Sequence, residues 1–441
     1  MLRGPRIAVA SLALALAFAC TKKNPKYCAM DSDCPSRSCN TTLNACNPSD
    51  GGVADAHDGG DARDGGDAGD AGDAGDGGDA RDASDAGDGP YKCKKADDCV
   101  FDGGGFDGST STVCEVEAGA CVECLADKDC MATAKPICNL TSRTCGPCTT
   151  DAQCASKDPS GPGVCMFHQD GRCATDAETI YVKNTTPGCS MTPGAGGTKD
   201  VPYCLSQDAI NVVTATRSLL VMRGPDALTE WAVATAPAAS ISVIGQSGAV
   251  VSPGARIGIH LSAGTTYVRG LKISGGSSTG VVADNSAVLK MDGCIVESNV
   301  LGGIKVDGAS FDITNTVIAK NMSTSTAGCG AWAGACFNSV TGTPRFLNNT
   351  VVSNVGTGTA CNNGATTVAG SIEFGNTPDN SLCTVTSCCS GNPMLTADYH
   401  LMSTSTCIDQ LDPAMSTTHD FDGQLRPRGT AALSDCGADE F

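Results

Sequence analysis

The chain has 441 residues, with 48 acidic side chains against 29 basic ones and a formal charge of −19. That balance excludes a protein that docks on nucleic-acid phosphates, because no basic face is on offer. Its 28 cysteines exclude a reducing cytosol as the working compartment, and the length allows about two or three domains.

Arg3 and Arg6 precede an apolar run from Ile7 to Phe18, which is too short to span a bilayer. This is an export signal, expected to cover residues 1–19. The segment Leu16-Ala17-Phe18-Ala19-Cys20 resembles a bacterial lipobox, although Leu16 stands four residues before Cys20 rather than three. Ala17-Phe18-Ala19 also reads as an ordinary A-x-A site, and either enzyme would cut before Cys20. The resemblance implies lipid attachment at Cys20 and anchoring in a bacterial envelope, at the outer membrane or cell surface.

Residues 20–50 carry a first cysteine module, residues 51–90 form a linker, and residues 91–177 carry three further modules. In the linker an Asp stands at every third position from Asp55 to Asp88. With no large apolar side chain to bury, and carboxylates that repel, this stretch reads as a disordered spacer. The modules are Cys28-Cys34-Cys39-Cys46, Cys93-Cys99-Cys114-Cys121, Cys124-Cys130-Cys138-Cys145 and Cys148-Cys154-Cys165-Cys173. Units this small need cross-links of ~2–4 kcal/mol each. Two disulfides per module are expected, and spacing does not choose among the three connectivities. Cys145-Gly146-Pro147-Cys148 matches a thioredoxin redox centre in letters, but it straddles two modules and lacks a βαβ context. The pattern resembles short Cys-rich repeats of secreted bacterial surface proteins.

From residue 178 to 441 short β-like runs recur. Gly258-Ile-His-Leu, Gly280-Val-Val-Ala and Gly303-Ile-Lys-Val align at steps of 22 and 23. A second series places Leu271, Cys294, Thr316 and Thr350 in register, and Asn299, Asn321, Asn354 and Asn376 fall in step. This arithmetic predicts a parallel β-helix with an internal Asn ladder. Thr179–Val182 reads as its opening strand and Ser206–Val213 as a capped helix over the open end. Cys189 with Cys204 and Cys329 with Cys336 are expected as local disulfides, and Cys294 as the one free, packed thiol.

The stretch resembles the right-handed parallel β-helix, or pectin-lyase-like, family. Its ending, Asp422-Gly-Gln424, Arg426-Pro427 and Asp435 to Phe441, resembles that of bacterial surface proteins of the choice-of-anchor type. The expected fold is therefore all-β, a right-handed parallel β-helix of about 22-residue coils behind disulfide-rich modules. Alternation within the first series points His260, Asp284, Lys305 and Asp307 outward, making them the candidate binding face. No catalytic residue, metal ligand or cofactor is assigned, and no defensible Ser/His/Asp set emerges from the five histidines. The expected role is structural or ligand-binding, toward an envelope polysaccharide or a surface protein. The alternative is a carbohydrate-active enzyme, a lyase or hydrolase on the same coil.

Overall fold

The computed structural model describes residues 39–40, 45–46, 93, 99 and 113–441, apart from 119, 184–187, 193, 225–226, 229–239, 247, 324–328, 363–365, 387, 390 and 429–431. The export signal, Cys20, Cys28, Cys34 and the Asp-rich linker lie outside the described residues. Two units are present, Met1–Ser84 and Asp85–Phe441. In the first, Cys39–Asn40 pairs antiparallel with Ala45–Cys46. Everything below concerns the second.

Three parallel sheets wind around one core. The first has nine strands, from Thr179–Val182 to Thr384–Thr386. The second has seven, from Ala227–Leu228 to Ile372–Phe374, and the third six, from Ile259–Leu261 to Asn380–Ser381. Leu289 pairs with Phe311 and Val281 with Ile304, steps of 22 and 23 residues. Strand pairing within these sheets is parallel throughout, so the fold is a parallel β-solenoid and not an antiparallel sandwich. Ile259, Leu261, Val281, Ala283, Ile304 and Val306 all point inward and are fully buried. The first sheet contributes Leu220, Val243, Val268, Leu289, Phe311 and Phe346 to the same core.

One alignment from the sequence needs correcting. Thr350 pairs with Val317, not Thr316, and Ile318 pairs with Val351. The step at the long coil is thus 33 residues. Only that register keeps the inward column Ile273, Val296, Ile318 and Val351 apolar and continuous; a one-residue slip would reverse every side chain. The Asn ladder obeys the same step. Asn299 Nδ2 donates to Asn321 Oδ1 (3.0 Å), Asn321 to Asn354 (3.1 Å) and Asn354 to Asn376 (2.9 Å). Before each ladder Asn stands a residue with φ between 55° and 71°: Ser298, Lys320, Ser353 and Gly375. For the three non-glycines that conformation costs about 1–2 kcal/mol each, which the ladder's hydrogen bonds offset.

Glycines mark another corner. A Cβ on Gly258, Gly303 or Gly334 would come within 2.5 Å or less of a carbonyl oxygen on the next coil. No side chain fits there, which explains why the first sequence series opens on glycine.

The described modules each close on themselves with a one-to-three, two-to-four pairing. Cys93 joins Cys114 and Cys99 joins Cys121; Cys124 joins Cys138 and Cys130 joins Cys145; Cys148 joins Cys165 and Cys154 joins Cys173. Asp127 and Asp151 accept from the amides of Cys138 and Cys165, tying the start of each module to its third cysteine rather than forming a local turn. In the solenoid Cys189 joins Cys204, Cys329 joins Cys336, Cys361 joins Cys383, Cys388 joins Cys436 and Cys389 joins Cys407. Cys294 is free and buried, and burial pushes its thiol up to about 12. The helix over the open end spans Ser206–Asn211, and Ala209 and Ile210 pack on the core beneath it. Its N-cap position falls on Leu205, which makes no side-chain capping bond.

Two segments cover outer faces of the solenoid. The fourth module packs Val164 and Met166 against Tyr181, Leu219, Val221 and Ile244 of the first sheet. The C-terminal segment packs Tyr399, Leu401, Cys407 and Ala438 against Val317, Ala319 and Val352 of the second. The ending is a clasp. Arg426, buried, donates to the carbonyls of Asp435 and Gly437 and pairs with Glu440 at 3.2 Å. Asp420 accepts from the amides of Asp422, Gln424 and Glu440.

Candidate functional site

The four residues singled out by alternation do share one outer face, that of the third sheet. Asp284 pairs in register with Asp307, and His260 and Lys305 flank Val282. The face is internally satisfied. His260 Nε2 lies 2.9 Å from Asp284 Oδ2, and Lys305 Nζ 3.1 Å from Asp307 Oδ2. Asn338 donates to Asp307 (2.7 Å) and Asn362 to Asn338 (2.8 Å), continuing the column. This is a flat polar ladder with each carboxylate already partnered.

The concave surface lies on the first sheet instead. Its outward column runs Ser242, Tyr267, Lys290, Asp312, Arg345, one residue per coil. The neighbouring outward column runs Ile244, Arg269, Asp292, Thr314. The fourth module covers the first rungs and presents Phe167 and His168, between its third and fourth cysteines, to the groove. The C-terminal strand-like strap at residues 416–423 forms the opposite wall. Between them lie two adjoining hollows of about 360 and 590 Å³, sharing Phe167, Asp292 and His419.

Asp292 anchors the floor. It is 6% exposed and accepts from Asn315 Nδ2 (2.8 Å), Thr314 Oγ1 (3.1 Å) and Tyr267 OH (3.3 Å). His419 Nε2 lies 3.0 Å from its Oδ2. Burial pushes the Asp292 carboxyl up, but the His419 contact and the other donors outweigh it and hold the group below its ordinary value. An ionised carboxylate only accepts, so Nε2 of His419 carries a proton, and Nδ1 faces Thr418 Oγ1 at 3.2 Å. Burial, with Arg269 beside it, lowers His168 to about 3. It is therefore a neutral ring, stacked on Tyr267 at 3.7 Å. Burial and the Asp292 charge push the Tyr267 phenol well up.

The cations are mostly committed. Arg345 grips Asp312 through two bonds of 2.7 and 3.0 Å. Arg269 pairs with Asp151 (2.8 Å) and lies over the Phe167 ring. Lys290 is exposed and makes no ion pair among the described residues. Thr418, His419 and Asp292, which the sequence does not single out, form one hydrogen-bonded chain. A signal for the sheet was present, since Thr266/Val268, Leu289/Met291 and Phe311/Ile313 alternate strictly with the groove residues. Nothing local points to Phe167 or His419, which arrive from other parts of the chain.

A second group, His400, Asp422 and Asp439, has ligand atoms within 4.8 Å of one another. Asp439 is already bound by His400 Nδ1 (3.0 Å) and the Leu401 amide (2.6 Å), and it belongs to the C-terminal clasp.

No protein-family model matches the chain, and no curated protein does. A solved structure of pectate lyase Pel9A aligns with 13% identity and a TM-score of 0.27, over 60% of this chain and all of that one. An overlap that loose carries no argument. The assignment of a parallel β-solenoid rests on the strand register described above, and that class is as far as the fold and the site define the protein.

Proposed function

We propose that this chain is an exported envelope protein, lipid-anchored at Cys20 and projected by its acidic spacer, whose β-helix binds polysaccharide along the first-sheet groove. The observation that carries the binding reading is the column Lys290, Asp312, Arg345. It repeats hydrogen-bonding side chains at the coil spacing of ~4.8 Å, over ~10 Å, along a walled trough. A glycan is a repeating ligand, and a solenoid is a repeating surface. A glycan-array profile of the exported chain tests this, with Asp312→Ala/Arg345→Ala as the control that should lose the signal. An unchanged profile in that double variant would place binding elsewhere. Anchoring predicts that Cys20→Ser moves the protein from the membrane to the soluble fraction.

A second reading, cleavage of the bound glycan, is favoured by the Thr418–His419–Asp292 chain. Asp292 orients His419 as an orienting carboxylate does for a general base. New reducing ends released by wild type and lost in His419→Gln, with binding retained, would support it.

A further inference from the structure

Resting on the glycan-binding reading above, we propose that the groove takes an uncharged, hydroxyl-rich polysaccharide and rejects polyuronates. The charges that line it are spent on one another. Arg345 is held by Asp312 with both donors of its fork, Arg269 by Asp151, and His419 by Asp292. What remains is Lys290 on one side; on the other, Asp420 is held by backbone amides and Asp422 lies 3.4 Å from His400.

A uronate carboxylate has two ways to enter. It can pair with Lys290, close to the Asp292 and Asp312 carboxylates that share that hollow. Otherwise it must share the Arg345 guanidinium with Asp312, where it stands beside a carboxylate of its own sign. The wider field opposes it too. Residues 85–441 alone carry 21 basic against 35 acidic side chains, a formal −14, so a polyanion approaches against repulsion rather than with steering.

A neutral sugar meets none of these penalties. Its hydroxyls both donate and accept, and they bring no charge to desolvate. The Asp312–Arg345 pair offers an acceptor edge and a donor edge in one rigid unit, and Lys290 Nζ and Thr418 Oγ1 add further polar partners. Charge pairs fixed by each other are preorganised, so little side-chain entropy is lost on binding.

The test is calorimetric titration of the full exported chain with gluco-, xylo- and manno-oligosaccharides, and with oligogalacturonate of equal length. We expect at least one neutral probe to bind, with a Kd that moves less than about twofold between about 0.05 and 0.5 M salt, since no ion pair forms across the interface. Oligogalacturonate should bind at least about tenfold more weakly. The salt series is repeated on Lys290→Gln: its remaining neutral binding should still move less than about twofold with salt, whereas an anionic ligand held by Lys290 would show a steep salt dependence in wild type that this variant abolishes. Oligogalacturonate binding as tightly as the best neutral probe would overturn this proposal and leave the glycan-binding reading standing. Binding of no probe would overturn both.

Discussion

Asp292 and His419 stand 127 residues apart in the chain and 3.0 Å apart in the fold. Their contact joins the fifth strand of the first sheet to the C-terminal strap, and it fixes the groove's width. Asp292 serves four donors, while His419 serves one carboxylate and one hydroxyl. The two truncations are therefore unequal. Asp292→Ala leaves buried donors without an acceptor and is expected to cost about 3 kcal/mol or more; His419→Ala leaves Asp292 its other donors and should cost about 1–2 kcal/mol. Urea unfolding of the two variants checks the order. Because the Asp292 carboxyl is held below its ordinary value, its contribution is present above the unfolded-state pKa near 4 and is lost as pH falls through the lower folded value.

Glu373 has the opposite sign. It pairs with Val351 and so continues the inward apolar column at the last coil of the second sheet. Burial pushes its carboxyl up to about 7. The folded state therefore binds a proton that the unfolded chain releases near pH 4.5, and stability falls as pH rises from there to about 7. Glu373→Gln should match wild type at pH 4 and exceed it at pH 8, by on the order of 3 kcal/mol. Equal urea midpoints at pH 8 would show that the carboxylate reaches solvent instead.

The Asn ladder makes a third case. Asn321 donates to Asn354 Oδ1 (3.1 Å) and to the Val296 carbonyl (2.9 Å), and its own Oδ1 accepts from the backbone N–H and from Nδ2 of Asn299 (both 3.0 Å). Asn321→Ala removes all four within a buried corner and should cost about 2–4 kcal/mol. Asn321→Asp keeps the acceptor but buries a charge, and is expected to be no better. Thermal unfolding of both variants reads this directly; a loss below about 1 kcal/mol would mean that water replaces the ladder.

The third-sheet face should be inert by comparison. Asp284 and Asp307 are half-exposed members of a satisfied surface ladder. Asp284→Ala combined with Asp307→Ala is expected to cost less than about 1 kcal/mol per site and to leave glycan binding unchanged. Loss of binding in that variant would move the site from the first sheet to the third.

These outcomes trace how far the chain could be read from its letters. Coil length, the inward columns and the Asn ladder are periodic, and period is visible in sequence. Thus Asn299, Asn321, Asn354 and Asn376 find each other, and Ile259 falls inside. The long coil broke the reading by one residue, because Thr316 and Thr350 look alike while the burial of Ile318 and Val351 decides. The groove was harder. His260 and Asp307 are conspicuous by type, whereas Tyr267 and Lys290 acquire meaning only when Phe167 and His419 close around them. Those two are placed by disulfides and by the Arg426–Glu440 clasp, which are long-range and aperiodic.

Between Cys204 and Cys329 the chain contains one cysteine, Cys294, and it is unpaired. The covalent staples are thus confined to the two ends of the solenoid, and the coils between are joined by strand register, the Asn ladder and other non-covalent contacts. A whole coil of 22 or 23 residues can then be duplicated or deleted in that stretch without orphaning a half-cystine or shifting a column. Groove length becomes a quantity that gene duplication can change in steps of one rung, while the capped termini stay as they are.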